Sequence, residues 1–329
     1  YANRKGFSKH KPALPLFTQE DAETVLRHLH AVEYQTLTKL SDTFTIELRR
    51  AGHILGSAVL TVTISGGDRP LRILFSGDLG RYDAPILRDP VSVDGADYLV
   101  VESTYGGRTH QDDPSVDTQL EQVVNETIAR KGILLVPAFA VGRTQGLLYL
   151  LRHLEDAGRI PHLPVYVDSP MAIKASKFYL KHKEEYDAET TRLEELRAEP
   201  LLPDNIKFCA SRDESKALNR IKSRAIIISA SGMLVGGRVL HHLTQRLPRS
   251  RNTLLLTGYQ AIGTRGRRIL NGEDKIKIPG SFVPVRAHVE QLHGLSAHAD
   301  ADEIIKWAND IDPAPQKTFI VHGEPDGSE

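Results

Sequence analysis

The chain has 329 residues, room for two domains of ordinary size or for one domain carrying a large insertion. Its 42 Lys+Arg balance 42 Asp+Glu, so no overall field attracts nucleic acid or membrane, and an acidic ligand has to be captured by a local patch. The single cysteine, Cys209, excludes an internal disulfide and fits a reducing compartment. No apolar run approaches the ~18 residues of a transmembrane helix, so the expectation is a cytoplasmic protein without membrane contact. The sequence opens on Tyr1 rather than Met, which leaves room for an upstream segment.

Taken in chain order, residues 18–30 predict a capped helix, with Thr18 ahead of Val25, Leu26 and Leu29 at helical spacing. Three short alternating runs follow, from Phe44, from Ala58 to Ile64 and from Leu71 to Phe75. The turn-forming stretch 65–70 separates the last two, so an antiparallel meander is expected. Tyr98 to Glu102 reads as a buried strand that runs into a loop. From about Gly106 helical patterns (116–130, 145–157, 172–186, 234–246) alternate with apolar strands (133–136, 165–167, 225–228, 253–256). That alternation argues for βαβ units around a mostly parallel sheet. After Ile278 loops and strands return, then a helix over 301–309 and a last strand over 318–321. The fold class is α/β, with one α/β unit set inside another whose pieces flank it.

Chemistry concentrates in four small-residue loops: Gly52-His53 with Gly56-Ser57, Gly77-Asp78-Leu79-Gly80, Ser296-Ala297-His298-Ala299-Asp300, and His322-Gly323-Glu324. Histidine is a common zinc ligand, and an aspartate has two oxygens that can each hold one metal of a pair. Each residue also has a plain local reading. His53 and His322 can bond backbone, Asp78 can cap a turn, and Ser296 to Asp300 can simply start a helix. The combination weighs more than its parts, because His53, Asp78 and His322 all follow predicted strand ends.

These segments resemble the metallo-β-lactamase fold, and within it the β-CASP nucleases. His53 matches the family's third metal motif, Asp78 its fourth, Glu102 in Val101-Glu-Ser-Thr-Tyr-Gly106 its motif A, His298 its motif B and His322 its motif C. The resemblance implies a metallo-β-lactamase-like αββα domain in two segments, 1–106 and 291–329, around an inserted β-CASP domain over 107–290. It implies two Zn²⁺ per complete site, with His53 on one ion, His322 on the other and Asp78 bridging. It further implies hydrolysis of RNA phosphodiesters, with His298 donating a proton to the leaving oxygen and Glu102 orienting it. Histidine at motif C marks the RNA-acting members, where DNA-acting ones tend to carry valine. The catalytic set that the resemblance implies is His298, Glu102 and Asp78.

The sequence departs from the family at one place. None of its fourteen histidines forms the His-x-His-x-Asp-His run that carries the main ligand cluster. Three ligands shared by two metals fall short of the about four that each zinc takes. The expectation is a partial lactamase-like domain lacking its front portion, and a chain that is inactive alone.

Two loops read as phosphate cradles: 137–144 ahead of a helix, with Arg143 adding charge, and Ser229-Ala230-Ser231-Gly232 after a buried strand. Arg265, Arg267 and Arg268 add positive charge near Tyr259, an aromatic able to stack on a base. Single-stranded RNA is the expected partner, with a homodimer left open. Two other readings compete. One is a non-catalytic scaffold subunit that binds RNA or a nuclease partner. The other is a hydrolase of small esters or thioesters, which the large insertion disfavours because small substrates need no second wall.

Overall fold

A computed structural model describes residues 11–110, 115–196, 199–278, 280–324 and 327. Two six-stranded sheets organise them. The first comprises β1 (Thr38–Lys39), β2 (Phe44–Arg50), β3 (Ala58–Ile64), β4 (Leu71–Phe75), β5 (Tyr98–Glu102) and β14 (Lys317–Val321), in that spatial order. The expected meander is present: β2, β3 and β4 pair antiparallel, while β4, β5 and β14 pair parallel. It follows that β2, β4, β5 and β14 all point the same way. Their C-terminal ends share one rim, and whatever follows those ends is gathered there.

One face of this sheet is closed by helix α9 (Ala301–Asn309). Val59, Leu74, Leu99 and Val101 pack with Trp307, which is 1% exposed and donates its indole N–H to the Val91 carbonyl at 3.1 Å. The opposite face carries Leu48, Leu60, Phe75, Val100 and Phe319 in a single register row across five strands. Phe75 and Phe319 on that row are 37% and 44% exposed. This sheet has therefore covered only one of its two apolar faces with the described residues.

The second sheet is wholly parallel, as the alternation of helical and apolar runs implied. It is built from β6 (Ile133–Pro137), β7 (Val165–Val167), β8 (Ile206–Phe208), β9 (Ala225–Ser229), β10 (Thr253–Leu256) and β13 (His288–Gln291). Every residue of β6, β9 and β10 is buried, which is what near-continuous apolar runs produce when helices cover both faces. On one side, α2 (Val116–Ala129), α3 (Arg143–Asp156) and α4 (Pro170–Lys181) pack on Leu134, Val136, Ile226 and Ile228. The other side takes α7 (Val239–Arg246) and α8 (Arg265–Leu270), together with the hairpin of β11 (Lys275–Ile278) and β12 (Ser281–Pro284).

A buried polar knot stands at the end of β7. The Asp168 carboxylate, fully enclosed, accepts from Arg238 Nη1 (2.7 Å), His242 Nε2 (2.7 Å) and Ser215 Oγ (2.6 Å). Burial opposes its ionisation, but those donors outweigh burial and hold its pKa below the usual carboxylate range.

The two sheets are tied by side chains. Arg50 at the end of β2 grips Glu185 with two bonds of 2.5 and 2.8 Å, and the Leu55 amide donates to Tyr179 Oη of α4 at 3.2 Å.

Some local expectations need correction. The first helix, α1, covers only Gln19–Leu26, closed at its start by a Thr18–Asp21 capping box. The Ser229–Met233 loop does not open a helix directly, because α7 begins only at Val239. Leu234 (φ 59°) and Gly237 (φ 84°) take left-handed backbone that a helix cannot contain. Helices α5 (Ala188–Leu196) and α6 (Arg212–Ala217) carry too little apolar periodicity to read from sequence, and they have one buried residue between them.

Candidate functional site

His53 follows β2, Asp78 follows β4, Glu102 ends β5 and His322 follows β14, so strand direction alone assembles four of the five motif residues. The loops that present them are fixed by backbone. Gly52 adopts φ 71°, and the His53 and Ile54 amides donate to Ser57 Oγ at 3.1 and 3.3 Å. The Gly80 amide donates to the Ala51 carbonyl at 2.7 Å, so the Asp78 loop lies directly on the His53 loop. The contact is so close that a Cβ on Gly80 would stand 2.1 Å from the Gly52 carbonyl carbon and 2.6 Å from the His53 nitrogen.

The fifth residue, His298, arrives from the loop before α9. Its Nδ1 lies 3.1 Å from both oxygens of Glu102, which is 2% exposed. A carboxylate only accepts, so Nδ1 carries the proton of that bond and Nε2 is left for other work. Burial raises the cost of ionising Glu102. The bonds from His298, Thr104 and the Leu79 amide (2.6 Å) more than offset it, so its pKa lies below the ordinary value. His53 shifts down, through burial first and the neighbouring His298 second. Its ring centroid is 4.3 Å from that of His298. A neutral His53 is the form a metal ligand needs.

The donors fit zinc. His53 Nε2 lies 3.8 Å from Asp78 Oδ2, and His322 Nδ1 lies 3.5 Å from Asp78 Oδ1. Both separations exceed a hydrogen bond and approach the ~3.3 Å between two ligands of one tetrahedral zinc at ~2.0–2.1 Å bond lengths. Each Asp78 oxygen thus faces a different imidazole. The described residues contain three tight groups of potential ligands: His53–Asp78–His298, Asp78–Glu102–His322 and His110–Asp300–Glu303. The third is already satisfied by protein donors. Asp300 caps α9 and Glu303 completes its capping box, while Glu303 Oε1 also accepts the Tyr82 amide at 2.9 Å. His322 adopts φ 63°, an uncommon conformation for a residue with a side chain, and its Nδ1 sits 3.0 Å from Thr104 Oγ1.

A cavity of about 730 Å³ opens over this rim, lined by His53, His298 and His322 below and by Phe139, Arg143 and Tyr259 above. The upper residues come from the C-terminal ends of the parallel strands, where open α/β sheets place ligands. A second cavity of about 310 Å³ shares His53, Arg143 and Ser296 with it. Arg143 opens α3, whose N-cap, Gly142, offers no side-chain cap. Its Nη1 is enclosed without a hydrogen-bond partner, and burial draws its pKa down to about 10. Gly258 leaves the room it occupies, since a Cβ there would meet Nη1 at 2.6 Å.

The other residues expected to contact phosphate are not among those lining either cavity. Arg265 donates to the carbonyls of Lys277, Leu234 and Val235, and Arg268 pairs with Glu273. Arg267 is exposed, and all three arginines lie outside the lining of the larger cavity. Ser229 donates to the Asp168 carbonyl, Ser231 holds the turn at Gly236, and the Gly232 carbonyl accepts from Gln260. Sequence reasoning did not single out Arg108 or His110, and it held Thr104 and Phe139 only as members of the motif A segment and the 137–144 loop. For Arg108 the local signal was the pair of glycines ahead of it.

Strand-end histidines and a carboxylate facing a cavity between two α/β sheets define a metal-dependent hydrolase. Comparison with known proteins makes this specific. A model of the Beta-Casp domain matches residues 144–269, and one of the Zn-dependent metallo-hydrolase RNA specificity domain matches 283–329. The chain is 35% identical over 311 residues to Ribonuclease TTHA0252 of Thermus thermophilus, covering 94% of this chain and 69% of that protein. It is 30% identical over 311 residues to an RNase J-like protein of Methanocaldococcus jannaschii, covering 94% and 70%. Transcription termination factor FttA of Pyrococcus abyssi is 32% identical over 325 residues, 94% of this chain and 49% of that protein. The chain belongs to the β-CASP metallo-β-lactamase family of ribonucleases. No helix among the described residues is long and apolar enough to cross a membrane.

The glycine contact gives a direct test of how the site is built. Gly80→Ala forces backbone against backbone, so stability falls by about 1–3 kcal/mol, the range for overpacking. Urea denaturation of the variant beside the parent chain measures it.

Proposed function

We propose that the site serves the cleavage of RNA phosphodiester bonds, and that His53, Asp78 and His322 would contribute ligands to the zinc it uses. The observation that carries this reading is the pairing of each Asp78 oxygen with a different histidine beside the Glu102–His298 couple. Zinc bound there supplies Lewis acidity towards the phosphate and towards water. The chain's own residues do the rest. Glu102 fixes the His298 ring through Nδ1, and His298 Nε2 holds the proton that the leaving oxygen requires. Arg143 meets a phosphate of the strand with a buried guanidinium whose Nη1 has no hydrogen-bond partner among the described residues. Phe139 and Tyr259 on the upper wall offer faces to unpaired bases.

The test separates the proton donor from the metal bridge, in a form of the protein with a complete ligand set. His298→Ala keeps both zinc ions and loses about 10²–10⁴ in kcat, the span of general acid–base catalysis. Asp78→Ala loses metal together with rate. An RNA whose leaving atom is sulfur, which departs without a proton, restores much of the His298→Ala rate and little of the Asp78→Ala rate. Equal zinc loss in the two variants would make His298 a ligand instead.

Ligand count favours a second reading for these 329 residues taken alone. Three donors leave two zinc ions short of the about four each requires, so we expect the isolated chain to bind RNA without cutting it. Elemental analysis after dialysis should find it without a tightly held zinc pair. Two retained ions per chain would overturn this reading.

Binding in turn should depend on local charge. Arg143→Ala should weaken single-stranded RNA binding by about tenfold or more, the loss of one charge-assisted contact. Replacing Arg265, Arg267 and Arg268 together should cost less. A fluorescence titration at two salt concentrations checks both, since counterion release makes the loss salt-dependent.

A further inference from the structure

His110 forms no part of the metal or proton-donor set, yet it touches the site from behind. Its Nε2 lies 2.9 Å from the carbonyl oxygen of His298, and its backbone amide donates to Asp300 Oδ2 at 2.9 Å. A carbonyl only accepts, so Nε2 carries a proton and donates it. The ring packs against Tyr105, centroid to centroid 4.6 Å. One residue pair further on, the Ala301 amide donates to the Arg108 carbonyl at 3.0 Å. The segment after β5 thus grips the 298–301 loop by three hydrogen bonds, only one of them through a side chain to the His298 peptide itself. On the other side of that loop the Ala299 amide donates to the Leu79 carbonyl at 2.8 Å, and the His298 amide to Ser296 Oγ at 3.2 Å.

We propose that His110 is a positioning residue for His298: by anchoring the His298 carbonyl it holds the backbone from which the ring reaches Glu102. This rests on the reading of His298 as proton donor. The physical case is one of leverage. The Glu102 contact fixes the ring at one atom, Nδ1, and a ring pinned at one atom can still swing if its backbone moves. His110 removes that freedom. Its Nε2 proton is committed to the carbonyl, so His110 itself does not deliver a proton to substrate.

Two substitutions divide the roles of the ring. His110→Phe keeps an aromatic against Tyr105 and loses the donor. His110→Gln places an amide N–H at nearly the same reach and loses the ring. In a cleaving form of the protein, His110→Phe should lower kcat about 10- to 100-fold, as sub-ångström misplacement does, with KM and zinc content unchanged. His110→Gln should recover to within about threefold of the parent, its hydrogen bond restored. The sulfur-leaving substrate should shrink the His110→Phe defect, and His110→Phe combined with His298→Ala should be no slower than His298→Ala alone, because both act on one step. On the 329-residue chain itself, without metal, His110→Phe should speed hydrogen exchange of the Ala299 and Ala301 amides about tenfold or more by loosening the loop.

A normal Phe variant with a defective Gln variant would make ring packing the role and overturn the proposal, as would an additive double variant. If His298→Ala keeps its full rate, the proton-donor reading itself has failed. Amide exchange then decides the anchor separately, and unchanged protection in His110→Phe overturns it.

Discussion

The buried carboxylate of Glu102 is the joint on which the site depends. It accepts from the Leu79 amide at 2.6 Å, from the Thr104 amide at 3.3 Å and from His298 Nδ1. Those three donors belong to the loop after β4, the loop after β5 and the loop before α9. A carboxylate enclosed this well is tolerated only when its lone pairs are satisfied, so the three loops have to meet there. In the proposed reading this one group sets the distance between the Asp78 metal bridge and the His298 proton donor.

Strand direction supplies the other half of the design. An antiparallel meander that turns into parallel pairing sends four strands the same way, and the rim collects one functional residue from each. The second sheet brings its own C-terminal rim opposite, and between the rims lies a cavity with histidines on one wall and Arg143 with two aromatics on the other. In a protein of zero formal charge, the proposed reading gives the polyanion a local contact, the enclosed Arg143 guanidinium on the cavity wall.

Much of this was legible in the residues. The meander, the parallel sheet and the strand-end placement of His53, Asp78 and His322 all follow from apolar periodicity interrupted by glycine. Helices whose burial comes from a few contacts were not legible, α5 and α6 among them, and neither was the late start of α7, which depends on left-handed backbone at Leu234 and Gly237. The arginines show why charge is hard to place from sequence. Arg265 and Arg268 look like ligand-binding cations in the string, but folding engages them with carbonyls and with Glu273. Arg143 looks no different, and folding leaves its Nη1 enclosed without a partner. His110 carried no signal at all, because its partner is a main-chain oxygen 188 positions away.

Leu79 joins two peptide groups that are both engaged at the site. Its amide is held by Glu102 and its carbonyl by Ala299, while its neighbours are Asp78 and the tightly stacked Gly80. In the proposed reading, an ion at Asp78 and a strand at His298 would therefore act on one residue, through the two peptide groups it joins. Their affinities would then be linked, and linkage is reciprocal: whatever free energy the ion lent to strand binding, the strand would return to the ion.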